Sequence, residues 1–147
     1  MKNKHYKTNE ILNYFSTNRV KWDQFYPSER KLLESIGLSS EKTALDIGCG
    51  CGGLGLALNE KFGISSYTGV DINSAAISKG RELNSSATLI AGDILDETDA
   101  LLNGQSFDLV CSLSCIDWNV QFSEMLLAAW RHVKPGGNFI ATFRLCL

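Results

Sequence analysis

The chain has 147 residues, 44% of them hydrophobic and 20% charged, the balance of one globular domain and not of a disordered segment. Fourteen Lys and Arg against sixteen Asp and Glu leave a formal charge of −2, which argues against a general nucleic-acid binder, since that needs a clustered basic surplus, and leaves open only a nucleic acid read by a small local patch. No apolar run approaches the ~20 residues that span a bilayer.

The basic start, Met1 to Lys7, leads into no apolar run with a small-residue cleavage site, so it is not read as a secretory signal. Five cysteines, with Cys49 and Cys51 one residue apart in a glycine run, do not form a secreted disulfide framework. Reduced thiols in the cytoplasm are the expectation.

Residues 9–36 read as a helical prelude. Ile11, Tyr14 and Phe15 share one helical face, as do Leu32, Leu33 and Ile36 further on. Trp22-Asp23-Gln24-Phe25-Tyr26-Pro27 connects the two helices, with Pro27 suited to a first turn and Gly37 to a C-terminal stop. From Thr43 the pattern changes to strand, helix, strand, helix. Apolar runs at 43–47, 67–72, 88–91, 107–113 and 138–143 have the length of strands buried on both faces. Leu54, Leu58 and Phe62 line the first intervening helix, and Ala76, Ile77, Gly80 and Leu83 the second, with Asn73 or Ser74 as its cap. Phe122, Leu126, Ala129 and Val133 line the last helix, which Pro135-Gly136-Gly137 ends. This alternation predicts an α/β three-layer sandwich around a mainly parallel sheet of about five strands. Residues 1–40 form the prelude and 41–147 the core of a single domain.

Ala44-Leu45-Asp46-Ile47-Gly48-Cys49-Gly50-Cys51-Gly52-Gly53 runs from the first strand into a helix. Its glycines permit positive φ and close approach of a ligand at the carboxyl end of the sheet. Gly48, Gly50 and Gly53 also satisfy the dinucleotide fingerprint, so the loop alone does not choose a cofactor. Three acids choose. Asp46 at the mouth of the loop suits an ammonium group and repels a pyrophosphate. Asp71 ends the second strand and is placed to accept from two ribose hydroxyls. Asp93 ends the third and is placed to accept from an adenine amino group, with Ile72 and Ile94 beside the ring. Amino acid, ribose and adenine are the parts of S-adenosylmethionine (SAM).

On these residues the sequence resembles the class I SAM-dependent methyltransferases, a Rossmann-like family. Asp46 to Gly52 is similar to the family's first motif, Asp71 to its second and Gly92-Asp93 to its third. Phe107-Asp108-Leu109-Val110-Cys111-Ser112 is similar to the fourth, and Val133-Lys134-Pro135-Gly136-Gly137 to the segment before the fifth strand. The resemblance spans residues 20–144. It implies SAM as methyl donor, a small-molecule acceptor, and cofactor contacts from Asp46, Gly48, Cys49, Gly50, Gly52, Asp71, Ile72, Asp93, Ile94 and Ser112. No nucleic acid or membrane partner is indicated. The prelude around Asn18 to Arg30 resembles that of uncharacterised bacterial small-molecule methyltransferases, some tied to surface-saccharide synthesis. In relatives such a segment folds over the cofactor as a lid.

Simpler roles stand beside these. Asp71 and Asp93 also suit turns at strand ends, Gly53 suits helix–strand packing, and Asp108 is read as structural. In relatives the loop after the fourth strand faces the methyl group, which makes Asp117 the candidate base or acceptor-positioning residue; a first-turn acid for the following helix is the rival reading. Cys111 and Cys115 read as small buried hydrophobes and not as nucleophiles, and Cys49-x-Cys51 lacks a partner pair at zinc spacing. His5 and His132 have no evident partners, His132 lying where a cation helps the last carbonyls of a helix. Trp22, Phe25 and Tyr26 serve either as part of the lid or as packing between helix and sheet.

The family usually has seven strands, and here the chain reaches Leu147 directly after the fifth. A truncated product, a partner chain at the edge and a shortened stand-alone enzyme are the explanations, the first being preferred. The bare fifth strand is expected to promote self-association. A SAM-binding module without transfer is the alternative function. An NAD-dependent oxidoreductase is the third, and it lacks a Lys, Tyr or His after the fourth strand.

Overall fold

A computed structural model describes residues 9–96, 100 and 102–144. His5, Cys146 and the ends of the chain around them lie outside the described residues. The prelude comprises α1 (Asn9–Thr17), a single 3-10 turn at Trp22–Gln24 and α2 (Pro27–Ser35). The core then runs β1 (Thr43–Ile47), α3 (Gly53–Phe62), β2 (Ser66–Asp71), α4 (Ser74–Leu83), β3 (Thr88–Ala91), β4 (Phe107–Ser112), α5 (Phe122–Arg131) and β5 (Val133–Ala141). No helix among the described residues is long and apolar enough to cross a membrane.

The five strands form one sheet in the order β3-β2-β1-β4-β5, parallel throughout. Side chains alternate across it. Ala44, Tyr67, Leu109 and Ile140 face a core completed by Leu33, Leu54, Leu58 and Ile77. Leu45, Ile47, Val70 and Val110 face the opposite core, completed by Met125 and Ala129 of α5. This is the expected three-layer α/β sandwich. Asn73 caps α4 by accepting from the amides of Ala75 and Ala76 (3.1 and 3.2 Å).

The helix faces differ from the sequence pattern at their ends. Leu32, Leu83 and Phe122 are exposed, and so are Ile11 and Tyr14 of α1. The α5 helix buries Met125, Ala128 and Ala129, while Val133 already belongs to β5. The fifth strand also starts five residues earlier than expected and ends at Ala141. Val133 pairs with Phe107, and the ladder resumes at Asn138 opposite Leu109, so the Pro-Gly-Gly segment is a bulge inside an edge strand. A Cβ at Gly137 would lie 3.1 Å or less from the carbonyl oxygens of Asp108, Lys134 and Phe107, so only glycine fits this close crossing. His132 is buried at the end of α5 and its Nδ1 lies 2.7 Å from the Gln105 carbonyl, which it meets as a donor. It ties the loop before β4 to the helix.

Asp108 is structural, as expected. Its Oδ2 accepts from the Thr43 amide (2.9 Å), the Thr43 hydroxyl (2.8 Å) and Lys134 (3.0 Å), joining β1, β4 and the bulge of β5. Burial by itself raises its pKa, but the Thr43 amide, then Lys134 and the Thr43 hydroxyl, outweigh it and hold the carboxyl down at about 2. A depressed folded pKa contributes stability above the ordinary carboxylate range that is lost as pH falls toward 2. Asp108→Asn is therefore expected to cost about 1–2 kcal/mol at pH 7, after allowance for its partial exposure. Urea unfolding at pH 7 and pH 3 checks this, because the gap between the two proteins must shrink at the lower pH.

Candidate active site

The loop between β1 and α3 is fixed from below. The amides of Gly48 and Cys49 both donate to the Val70 carbonyl (2.8 and 3.0 Å), and the Gly50 amide donates to Asp71 Oδ2 (2.8 Å). Gly48 has φ +77° and a Cβ there would run into Cys115. Gly50 has φ +57°, and a Cβ there would meet nothing within 4 Å, so the loop leaves open space where a ligand can lie against its backbone.

That space belongs to a two-lobed cleft at the carboxyl ends of the strands. One lobe, of about 480 Å³, lies over the glycine loop and reaches Arg19, Phe25 and Glu29 of the prelude, Asp117 and Arg144. The other, of about 540 Å³, holds Asp71, Ile72, Asp93 and Ile94. Tyr14, Phe15, Gly48, Ser114 and Arg144 line both, so the lobes meet under α1 and beside the loop after β4.

The structure brings most of the expected residues to this cleft. Asp46, Gly48, Cys49 and Gly50 line the first lobe, and Asp71, Ile72, Asp93 and Ile94 the second. Asp71 Oδ1 accepts from the Asn73 amide (2.8 Å) and Asp93 Oδ1 from the Leu95 amide (3.0 Å). The turn-forming role and the cleft-lining role thus fall on the same carboxylates, whose oxygens have lone pairs for both. Two residues are placed elsewhere. Ser112 is fully buried and its Oγ donates to the Ile47 carbonyl (3.1 Å), tying β4 to β1 behind the loop. Gly52 backs onto Leu89 and Tyr67, not onto the cleft. Gly53 lines the first lobe, and the side on which a Cβ would sit is pressed against the Arg19 backbone.

Among the lining residues that sequence reasoning did not assign to the site are Ser114, Arg19, Glu29 and Arg144. Ser114 has φ +54°, a conformation few non-glycine residues adopt, and its amide donates to the Thr142 hydroxyl (2.7 Å). Arg19 places one terminal nitrogen 3.0 Å from both carboxylate oxygens of the buried Glu29, which also accepts from the Tyr26 amide (2.9 Å). Arg144 pairs with Asp117 Oδ2 (Nε 3.5 Å, backbone N 3.2 Å) and lies 4.2 Å over Trp118. An acid at Glu29, the third residue of a Pro-led helix, was a signal for its bond to the Tyr26 amide and not for its pair with Arg19. Among the prelude aromatics, Trp22 and Phe25 are both buried in the core, and Phe25 also lines the cleft. Trp22 meets Phe62 of α3 edge-on at 5.3 Å and packs the prelude to the core, while Phe25 and Tyr26 line the first lobe under the Arg19 guanidinium.

A methyltransferase-domain family model matches residues 44–137, which contain the loop and all three acids. The chain belongs to that family, the SAM-dependent methyltransferases of class I. It is similar to the ubiquinone biosynthesis O-methyltransferase of Pseudomonas fluorescens, 32% identical over 71% of this chain and 45% of that protein. Its fold is similar to a SAM-dependent methyltransferase of Thiobacillus denitrificans in complex with S-adenosylhomocysteine (TM-score 0.65, 15% identity, 94% of this chain and 56% of the other). A methyltransferase in complex with the Trm112 activator of Haloferax volcanii gives a TM-score of 0.70 at 22% identity, over 96% of this chain and 60% of the other. The matched segments span 26% to 45% of the length of five curated relatives.

Among the described residues the cleft holds no thiol shifted down toward its reactive form. Burial chiefly, with Asp71 adding, pushes Cys115 up to about 11, and burial keeps Cys49 and Cys111 well above the ordinary thiol range. No group of three metal-binding side chains occurs among the described residues. Asp46 is the group poised near neutrality. Burial pushes its carboxyl up to about 7; the Tyr67 hydroxyl, donating to its Oδ2 at 2.7 Å, opposes this and the charge of Asp71 adds to it. A raised folded pKa means the native state holds an extra proton between the ordinary carboxylate range and 7, so its contribution to stability falls as pH rises through that window. Asp46→Asn keeps an acceptor for Tyr67 and removes the charge. Thermal melts at pH 5 and pH 8 are expected to show wild type losing more stability than the variant, by on the order of 1–3 kcal/mol.

Proposed function

We propose that this chain binds SAM across both lobes and transfers its methyl group to a small molecule seated in the rest of the first lobe. The observation that carries the reading is the placement of Asp46, Asp71 and Asp93 at the ends of three adjacent strands, around one cleft with open space against Gly50. Asp46 then faces the ammonium of the methionine moiety and Arg19 its carboxylate, a cation that Glu29 orients. Asp71 receives the ribose hydroxyls and Asp93 the adenine amino group, with Ile72 and Ile94 as apolar walls. When bound, SAM supplies a methyl group on a sulfonium that leaves as a neutral thioether, so the protein's task is alignment in a dry site. Tyr14 and Phe15 of α1 line the joint of the lobes. Asp117 is the base or acceptor-positioning residue. The free thiols at Cys49, Cys51, Cys111 and Cys115 are compatible with a cytoplasmic chain.

Calorimetry with SAM, S-adenosylhomocysteine and NAD tests the cofactor. SAM and its product are expected to bind, and NAD is not; preference for NAD, or no binding by folded protein, would sink the reading. Asp71→Ala should weaken binding by one or two charge-assisted hydrogen bonds, about 1.5–3 kcal/mol each. Affinity should rise with pH through about 7, since an ionised Asp46 favours the ammonium. Binding with no product from any acceptor would leave a SAM-binding module as the function.

We also propose self-association through β5, which is an edge of the sheet among the described residues. Ile140 is buried in the core, so a lysine there would unfold the domain instead of testing the edge. Asn138→Lys, at a half-buried position beside the bulge, is the suitable probe. Sedimentation at rising concentration should show wild type associating and the variant less so; a monomeric wild type would end the idea.

A further inference from the structure

The part of the first lobe beyond the glycine loop has apolar walls and one buried polar atom with no partner among the described residues. Phe25, Tyr26, Leu113 and Phe143 supply the walls. The polar groups among them are largely satisfied: Glu29 by Arg19 and the Tyr26 amide, and the Thr142 hydroxyl by the Ser114 amide. Asp117 differs. Its side chain is only 10% exposed, Oδ2 is taken by Arg144, and Oδ1 is buried and accepts no hydrogen bond from any described residue. Buried carboxylate oxygens in native proteins find donors, and Asp117 lines the first lobe, so a donor on whatever enters the lobe is the partner that Oδ1 lacks.

We propose, resting on the methyl-transfer reading above, that the acceptor is a small apolar ring bearing a hydroxyl or neutral amino nucleophile, and that carboxylate acceptors are rejected. A hydroxyl or amine completes the hydrogen bonding of Oδ1 and aligns its own lone pair by doing so. A carboxylate brings no donor and a second negative charge against the first. Arg144 does not reverse this, because its Nε is turned to Asp117 and its guanidinium lies on Trp118. Aromatic walls at Phe25, Tyr26 and Phe143 suit a ring better than a polar chain. In the transfer, the acceptor's oxygen or nitrogen lone pair forms a bond to the methyl carbon. The carbon–sulfur bond breaks with its electron pair going to sulfur, and the acceptor's proton passes to Asp117 Oδ1 and then to solvent.

The test uses the whole 147-residue chain saturated with S-adenosylhomocysteine and three matched probes: phenol, aniline and benzoate. Saturation-transfer NMR titrations read their affinities. Phenol and aniline are expected to bind at least about tenfold more tightly than benzoate. In Asp117→Asn that gap should narrow to about threefold or less, with S-adenosylhomocysteine still bound as proof of an intact cleft; Asp117→Ser replaces it if that variant does not fold. Benzoate binding as well as the other two, no saturable binding of any probe, or a gap unchanged in the variant would each overturn the proposal. Loss of S-adenosylhomocysteine binding by wild type would instead overturn the cofactor reading.

Discussion

The hydrogen bond from the Gly50 amide to Asp71 sets where the loop after β1 stands relative to the end of β2. Both lobes of the cleft depend on it, since Gly50 lines one and Asp71 the other. The same carboxylate also takes the Asn73 amide and so holds the turn in which Asn73 caps α4. A side chain that organises its own backbone is already fixed when a ligand arrives, and little ordering remains to be done on binding. Loop, strand end and helix start are thereby joined through one carboxylate.

Charge in the first lobe is managed in three different ways. Glu29 is matched by Arg19, one terminal nitrogen of which serves both carboxylate oxygens and so keeps a guanidinium inside the lobe. Asp46 has a neutral donor, Tyr67, in place of a cation, which leaves its charge dependent on what else is near. Asp117 is half matched, with one oxygen on Arg144 and the other unmet. Three carboxylates in one lobe are tolerable because each is satisfied to a different degree and by a different element of the fold.

How much was legible in the sequence follows from which forces act locally. The strand at Thr43–Ile47 was readable to the residue because burial on both faces leaves an apolar run with sharp ends. Thr88–Ala91, an edge strand exposed at both its ends, was readable from its short apolar run between turns. The fifth strand was not, because its first pairing, Val133 to Phe107, precedes a Pro-Gly-Gly segment that reads as a stop; only its edge position lets the ladder continue past it. Asp46, Asp71 and Asp93 could be read because strand ends and glycine spacing fix backbone position. Ser112 and Gly52 were assigned to the cleft on spacing alone, which does not say which way a residue faces. Ser114, two residues from Ser112, lines both lobes because of a positive φ that no sequence rule assigns to serine. Arg19 enters through the tertiary path of the prelude, which leaves no periodic trace.

The contact between Gly53 and the Arg19 backbone carries a consequence for how such sequences diversify. The third glycine of the apparent dinucleotide spacing leaves room for a peptide of the prelude, so the same letter here answers to a neighbouring segment and not to a phosphate. Chains that route their N-terminal segment elsewhere are released from the restriction and can carry a side chain at this position. Positions 53 and 19–20 should therefore vary together across homologues, and a fingerprint shared with another cofactor class arises in this chain by a separate steric route.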